Sequence, residues 1–313
     1  MKYFAAIALA FGLGSAGAAQ AQETINVAVG SGGNLESWIV EIGKQGGIFG
    51  KHGLNPDIRY TRGGGETIQA VVSGGVEIGA TIGGIGVLSA FKKGAPIRVI
   101  GSSIVGSANY WYVRADSSIK GIDDVDGKKI GYSTVGSGTY NMGVILMSQY
   151  GKKFEHVATG ATPATFTQVM TGQVDVGFAY PEFGQDALAK GETRIVFYDN
   201  DVDRIKNQSL RWLVANDSVS DEVVTNFMTA YTETIDWIYS GDKKPVEIYA
   251  SLLEQPVDAA QNLIDKFWHR ELFRVNEIVG LDIVMEDAVA AKAIDAPLSQ
   301  EEIDKLIRLP LGG

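Results

Sequence analysis

Few side chains in this sequence are equipped to make or break a covalent bond. Cys is absent, which removes thiolate nucleophiles, thiolate metal ligands and disulfides. The three histidines, His52, His156 and His269, stand in unrelated contexts, and none falls in an HxxxH spacing. No GxSxG turn announces a nucleophile elbow, no GK[ST] closes a phosphate loop, and GSGGN and GSGTYN are not the GxGxxG fingerprint in its proper form. What the chain offers instead is backbone. Residues 30–34 (GSGGN) and 134–139 (TVGSGT) are Gly/Ser loops that leave a β-rich run and enter a helical pattern. Such a turn exposes unpaired N–H groups and the positive end of a helix dipole, a setting for an anion. Glycine-rich turns also occur for tight geometry alone, and either loop by itself admits that reading.

Further candidates stand at the ends of later strands. After VEIGA come Thr81, Ile82, Gly83 and Gly84, small enough in part for a ligand to approach the backbone; after VDVGF come Ala179, Tyr180, Pro181 and Glu182. Tyr180 offers a flat wall and Glu182 an acceptor, or Pro181 and Glu182 simply open a helix. Arg62 and Arg211 are the basic residues best placed near the inferred site, though Glu66, one helical turn from Arg62, makes a surface pair there. Tyr110 and Tyr112 share one face of a strand and Trp111 takes the other, so at least one packs in a core. Trp38 reads as core, and His52, in GKHGL, as a solvent-facing turn residue.

The elements that would position these groups come twice. Residues 25–29 form a strand, Leu35, Trp38, Ile39 and Ile42 recur at helical spacing, 57–60 form a second strand, 67–72 a helix and 76–81 a third strand. The same order follows later: a strand at 128–133, a helix over 140–150, a strand at 156–158, a helix opened by TPAT and a strand at 174–179. Within it, 165–178 (TFTQVMTGQVDVGF) repeats 67–80 (TIQAVVSGGVEIGA) without a gap. A generic doubly wound sheet explains helix, glycine turn and strand, but not the matching order upstream. The reading is α/β: two lobes, each a mostly parallel sheet flanked by helices, with residues 22–106 beginning lobe I, 107–212 forming lobe II and 213–313 a helical tail packed on lobe I. The crossings fall near 102–112 and 197–213. Ligands of open α/β sheets bind at carboxyl ends of strands, so both glycine loops would look into one cleft.

The first residues read as an export signal: Lys2, an apolar run, then Ala19-Gln20-Ala21, with cleavage near Ala21. The apolar core of 3–13 is too short to span a bilayer. Removing 1–21 takes one Lys and no acid from a chain of net charge −10, leaving −11. An acidic chain without a basic run is a poor partner for nucleic acid or an anionic membrane.

Together, QGGIFGKHGL, GGGETIQAVVSGGVEIGATIGG, VRADSSIKGIDDVDGKKIGYSTVGSGTYN and TFTQVMTGQVDVGFAYPEFGQDAL resemble the nitrate/sulfonate/taurine-type substrate-binding proteins of ABC importers. The resemblance covers about 25–217 and implies the type II periplasmic binding fold, with two lobes closing on a ligand. It implies an exported, periplasmic monomer that binds a small organic anion (a sulfonate or carboxylate, aromatic ones included) without catalysis, cofactor or metal, and passes it to an ABC permease. Alternatives are a secreted enzyme on the same fold or a ligand-sensing subunit of a membrane receptor. The family's ligand shell would fall on Ser31, Gly32, Gly33, Asn34, Gly64, Ile82, Gly83, Gly84, Ser133, Thr134, Ser137, Gly138, Thr139, Tyr180 and Glu182. At Ala179-Tyr180-Pro181-Glu182 the chain differs from the Trp and Asp-before-Pro that many relatives carry.

Overall fold

The computed structural model describes residues 22–311; the export segment read at 1–21 lies outside them. Ten strands organise the described residues: β1 (Glu23–Gly30), β2 (Leu54–Thr61), β3 (Ile78–Gly83), β4 (Ile97–Ile104), β5 (Tyr110–Arg114), β6 (Lys129–Tyr132), β7 (Glu155–Ala158), β8 (Gly177–Ala179), β9 (Thr193–Tyr198) and β10 (Arg211–Asn216). One sheet runs β2-β1-β3-β10-β4, parallel except for β10. The other half holds β8-β5-β9, all antiparallel, beside the parallel pair β6-β7. A bridge from Ile130 to Val176 joins β6 to the approach of β8. The order there becomes β7-β6-β8-β5-β9, the plan of the first sheet repeated, which is the α/β two-lobe architecture read from the sequence.

The chain passes between lobes twice, at 105–109 and 199–210. These segments are stitched together: Gly106 N–H donates to the Gln208 carbonyl at 2.9 Å and Asp199 N–H to the Asn109 carbonyl at 3.1 Å. Tyr110 and Tyr112 enter one hydrophobic cluster and Trp111 another, as alternation along a strand requires.

The helices after Ser220 cover the first sheet. Ser220 caps Asp221–Ile238 through its hydroxyl, and Val223, Phe227, Tyr231, Ile235 and Ile238 are buried in one cluster with β1, β3, β4 and β10. Burying a side chain the size of Phe227 or Ile235 contributes roughly 1.5–3 kcal/mol. Two local expectations change. Pro181 does not open a helix: 180–184 is a turn, and Gln185–Ala189 starts only after Gly184, at φ 78°. His52 is not a free turn residue; its Nε2 lies 2.7 Å from Glu233 and ties the turn to the long helix.

Candidate functional site

Each glycine loop is held by its own side chains. Asn34 Oδ1 accepts from Ser37 N–H at 3.0 Å, so this amide is committed to capping Leu35–Gln45. In the second loop Ser137 Oγ accepts from Tyr140 N–H at 3.1 Å and caps Gly138–Gln149. Thr139 Oγ1 accepts from Ser133 N–H at 3.0 Å and lies 3.0 Å from Ser137 Oγ and 3.2 Å from Ser133 Oγ. Three hydroxyls thus gather at the start of one helix.

The two loops meet across a small cavity of about 30 Å³, bordered by Gly30, Ser31, Asn34, Glu36, Gly64, Thr81 and Arg211 from one lobe and Ser133, Ser137, Gly138, Thr139, Phe178 and Tyr180 from the other, with Asn109 from a crossing segment. That is room for about two waters. Ser31 and Thr81 have φ of 60° and 59°, two of the four non-glycine residues at positive φ among the described residues. Strain of this kind, on the order of 1–3 kcal/mol each, concentrates at ligand clamps.

Glu36 and Arg211 are the charged residues of the lining, and they face each other: Arg211 Nε donates to Glu36 Oε1 at 2.9 Å, and Nη2 lies 2.8 Å from Oε2. This two-pronged geometry fixes the guanidinium plane. Burial pulls the Arg211 pKa down, but the Glu36 carboxylate and Asp199 outweigh it, so the net direction is up and the residue stays charged. Burial pushes the Tyr180 hydroxyl up, keeping it a neutral donor. Asp199, also raised by burial, accepts from Trp111 Nε1 at 2.6 Å. The Asn109 amide is 1% exposed, and neither its nitrogen nor its oxygen has a partner among the described residues.

Of the residues singled out from sequence, Gly30, Ser31, Asn34, Gly64, Thr81, Ser133, Ser137, Gly138, Thr139, Tyr180 and Arg211 border this cavity. The others lie off it for identifiable reasons. Ile82 turns into the apolar core. Gly84 packs against the Trp212 ring and Val284, where a Cβ would sit 3.0 Å from each. Gly32 lies against Tyr60, and Gly33, at φ 109°, makes the bend before the cap. Gly83 and Thr134 belong to the seam between lobes: a Cβ on Gly83 would stand 2.5 Å from the Gly136 carbonyl, and Thr134 Oγ1 accepts from Gly65 N–H at 3.1 Å. Glu182 is buried elsewhere, its Oε1 accepting from Leu35 N–H, the Tyr249 hydroxyl and Trp268 Nε1. Arg62 is exposed and paired with Glu66 at 3.1 Å. Glu36, Asn109 and Phe178 also border the cavity without any signal in the sequence that marks them. Glu36 looks in sequence like an ordinary acid in a first helical turn, and only Arg211, 175 positions later, gives it a role.

A larger cavity, about 810 Å³, opens between the ends of Asp221–Ile238, Lys244–Leu253 and Val257–Phe267. Neither glycine loop reaches it, and we place the candidate site in the cleft.

Two α/β lobes joined by two crossings, with helix-opening loops facing across the junction, define the periplasmic binding protein fold. Solved structures agree: the alkanesulfonate-binding protein SsuA of Xanthomonas axonopodis bound to MOPS (14% identity, TM-score 0.71, covering 91% of this chain and 98% of that one), a Candida albicans gene product with the generic periplasmic binding protein fold (16%, 0.68, 93% and 99%), and the periplasmic nitrate-binding protein NrtA of Synechocystis (12%, 0.68, 92% and 86%). The NMT1/THI5-like family model matches residues 36–244, and the chain belongs to that family. No curated protein matches it.

Proposed function

We propose that the protein captures a small anion in the cavity between its lobes, outside the cytoplasm, and delivers it unchanged to an ABC permease. The observation that carries this reading is the convergence of both glycine loops, with their hydroxyls and helix N-termini, on one cavity that also holds Arg211 and the unpartnered Asn109 amide. The similar structures named for alkanesulfonate and nitrate support the ligand class. A cavity of about 30 Å³ is closest to an ion the size of nitrate, and a sulfonate or an aromatic acid requires the lobes to stand further apart. Because Glu36 and Arg211 both face inward, an aminosulfonate zwitterion is a second reading. The moving bodies of this reading are 107–212 on one side and 22–106 with 213–313 on the other, except that Arg211 and Trp212 open β10 and so travel with the first sheet.

A thermal-shift panel of nitrate, methanesulfonate, taurine, acetate and benzoate, followed by calorimetry, tests it. One of the small anions raises the melting temperature and is recovered intact by mass spectrometry after long incubation. A chemically altered ligand would instead establish the enzyme alternative.

A further inference from the structure

Glu182 sits on the turn after β8, yet every partner of its carboxylate belongs to the opposite lobe. Oε1 accepts from Leu35 N–H at 2.9 Å, the Tyr249 hydroxyl at 2.6 Å and Trp268 Nε1–H at 2.7 Å. Leu35 opens an 11-residue helix, so the carboxylate also meets the positive end of its dipole. Tyr249 and Trp268 are fully buried in the cluster that carries β1, β3, β4 and β10, which makes the three donors a fixed socket. Oε2 is buried without a hydrogen-bond partner among the described residues, so every side-chain and backbone group of another residue that bonds this carboxylate comes from the first lobe. An acid serving its own helix end would not reach 147 positions back along the chain.

We propose that Leu35 N–H, Tyr249 and Trp268 form a carboxylate socket for which Glu182 is the built-in occupant, latching the two lobes together when no ligand is bound. An anion in the cleft then stabilises an arrangement the protein already visits, rather than creating it. When the lobes part, the socket loses its occupant and becomes a three-donor site fit for a small free carboxylate. The inference needs the lobes to move, but it does not depend on which ligand the cleft takes, and it is read with the cleft empty.

The absence of Cys allows clean labelling: Lys92→Cys and Lys190→Cys place spin labels at exposed positions on opposite lobes. Electron–electron distance measurements on the ligand-free protein should show a dominant short separation with Glu182 intact. Glu182→Ala should lower the closed fraction by about tenfold or more, since three buried donors lose their acceptor. Formate, which fits the space vacated, should restore the short distance, and Glu182→Gln, which keeps the acceptor oxygen, should stay largely closed. Tyr249→Phe, a milder change, should shift the distribution the same way by less, with near-ultraviolet circular dichroism unchanged. An unchanged distribution in Glu182→Ala overturns the proposal. So does opening in Glu182→Ala that ignores formate while Tyr249→Phe stays closed, because that pattern marks a packing residue and not an occupied socket.

Discussion

Residues 61–79 and 159–177 are one piece of structure built twice. Thr61 and Thr67 share a hydroxyl hydrogen bond of 2.8 Å, and Thr159 and Thr165 one of 2.7 Å. Thr67 donates to the Gly63 carbonyl and Thr165 to that of Ala161, both at 3.3 Å. Each helix ends at a glycine in the left-handed region, Gly74 at 72° and Gly172 at 74°. Glu77 and Asp175 then accept from the backbone N–H of a neighbouring strand, Asn26 at 2.7 Å and Lys129 at 2.8 Å. Immediately afterwards the two copies diverge. β3 runs on to Gly83 and directly into Gly84–Lys92, whereas β8 stops at Ala179 and a turn follows. In the shared register Ile82 answers Tyr180 and Gly84 answers Glu182. One copy therefore buries an apolar side chain and packs a glycine on Trp212, while the other puts a phenol at the cavity and a carboxylate in the opposite lobe. The duplicated stretch is mostly scaffold, held by buried hydroxyls and a tight turn, and just past it the two copies set different side chains at the junction of the lobes.

The largest effect should come from the asymmetric part. Arg211→Ala leaves Glu36 buried without its partner and should cost about 3–5 kcal/mol in urea unfolding. Acidity should then separate the copies, because only the second carries a latch. Burial pushes the Glu182 carboxyl up to about 7 from an ordinary 4.5. The groups facing it are Tyr249 and Tyr110, whose hydroxyls burial raises out of the working range, and Leu35 and Trp268, which bring no charge. Since the closed form holds the proton more tightly than the open form, closure strengthens as pH falls from about 7 towards 4.5. It is flat above that window, and the total reaches about 3 kcal/mol. The spin-label distance recorded from pH 8 to pH 5 checks the sign, and Glu182→Gln should flatten the curve.

Smaller and equal effects should mark the scaffold. A Cβ on Gly79 would stand 2.7 Å from Val71, and one on Gly177 2.7 Å from Val169, so Gly79→Ala and Gly177→Ala should each lose about 1–3 kcal/mol. Thr67→Val and Thr165→Val should each lose about 1 kcal/mol through the same missing hydroxyl bond. Clearly unequal losses within either pair, measured by urea unfolding, would mean that the two copies no longer bear equal loads.

The scaffold was legible because it is local. Strand alternation, helical spacing and the glycine stops at 74 and 172 act over a few residues, and the sequence repeat exposes the plan of two lobes directly. The two glycine loops and Tyr180 were legible too, as helix-opening turns and a strand end at one edge. Glu182 and Glu36 were not: their partners lie 147 and 175 positions away, and nothing in the periodicity around them encodes how one lobe sits on the other. Pro181 misled for a related reason, since its local preference for a helix start yielded to the turn that carries Glu182 across.

Calorimetry of Ser137→Asp tests whether the anion lies in the cavity where the loops meet. Asp caps a helix as well as Ser does, so Gly138–Gln149 and the fold should persist, while a negative charge now sits where the anion would lie. With the anion that most stabilises the unaltered protein, the account predicts affinity lower by about a hundredfold or more, consistent with replacing a charge-assisted bond by a like-charge contact. Unchanged affinity in a properly folded Ser137→Asp protein would contradict it and place the ligand elsewhere.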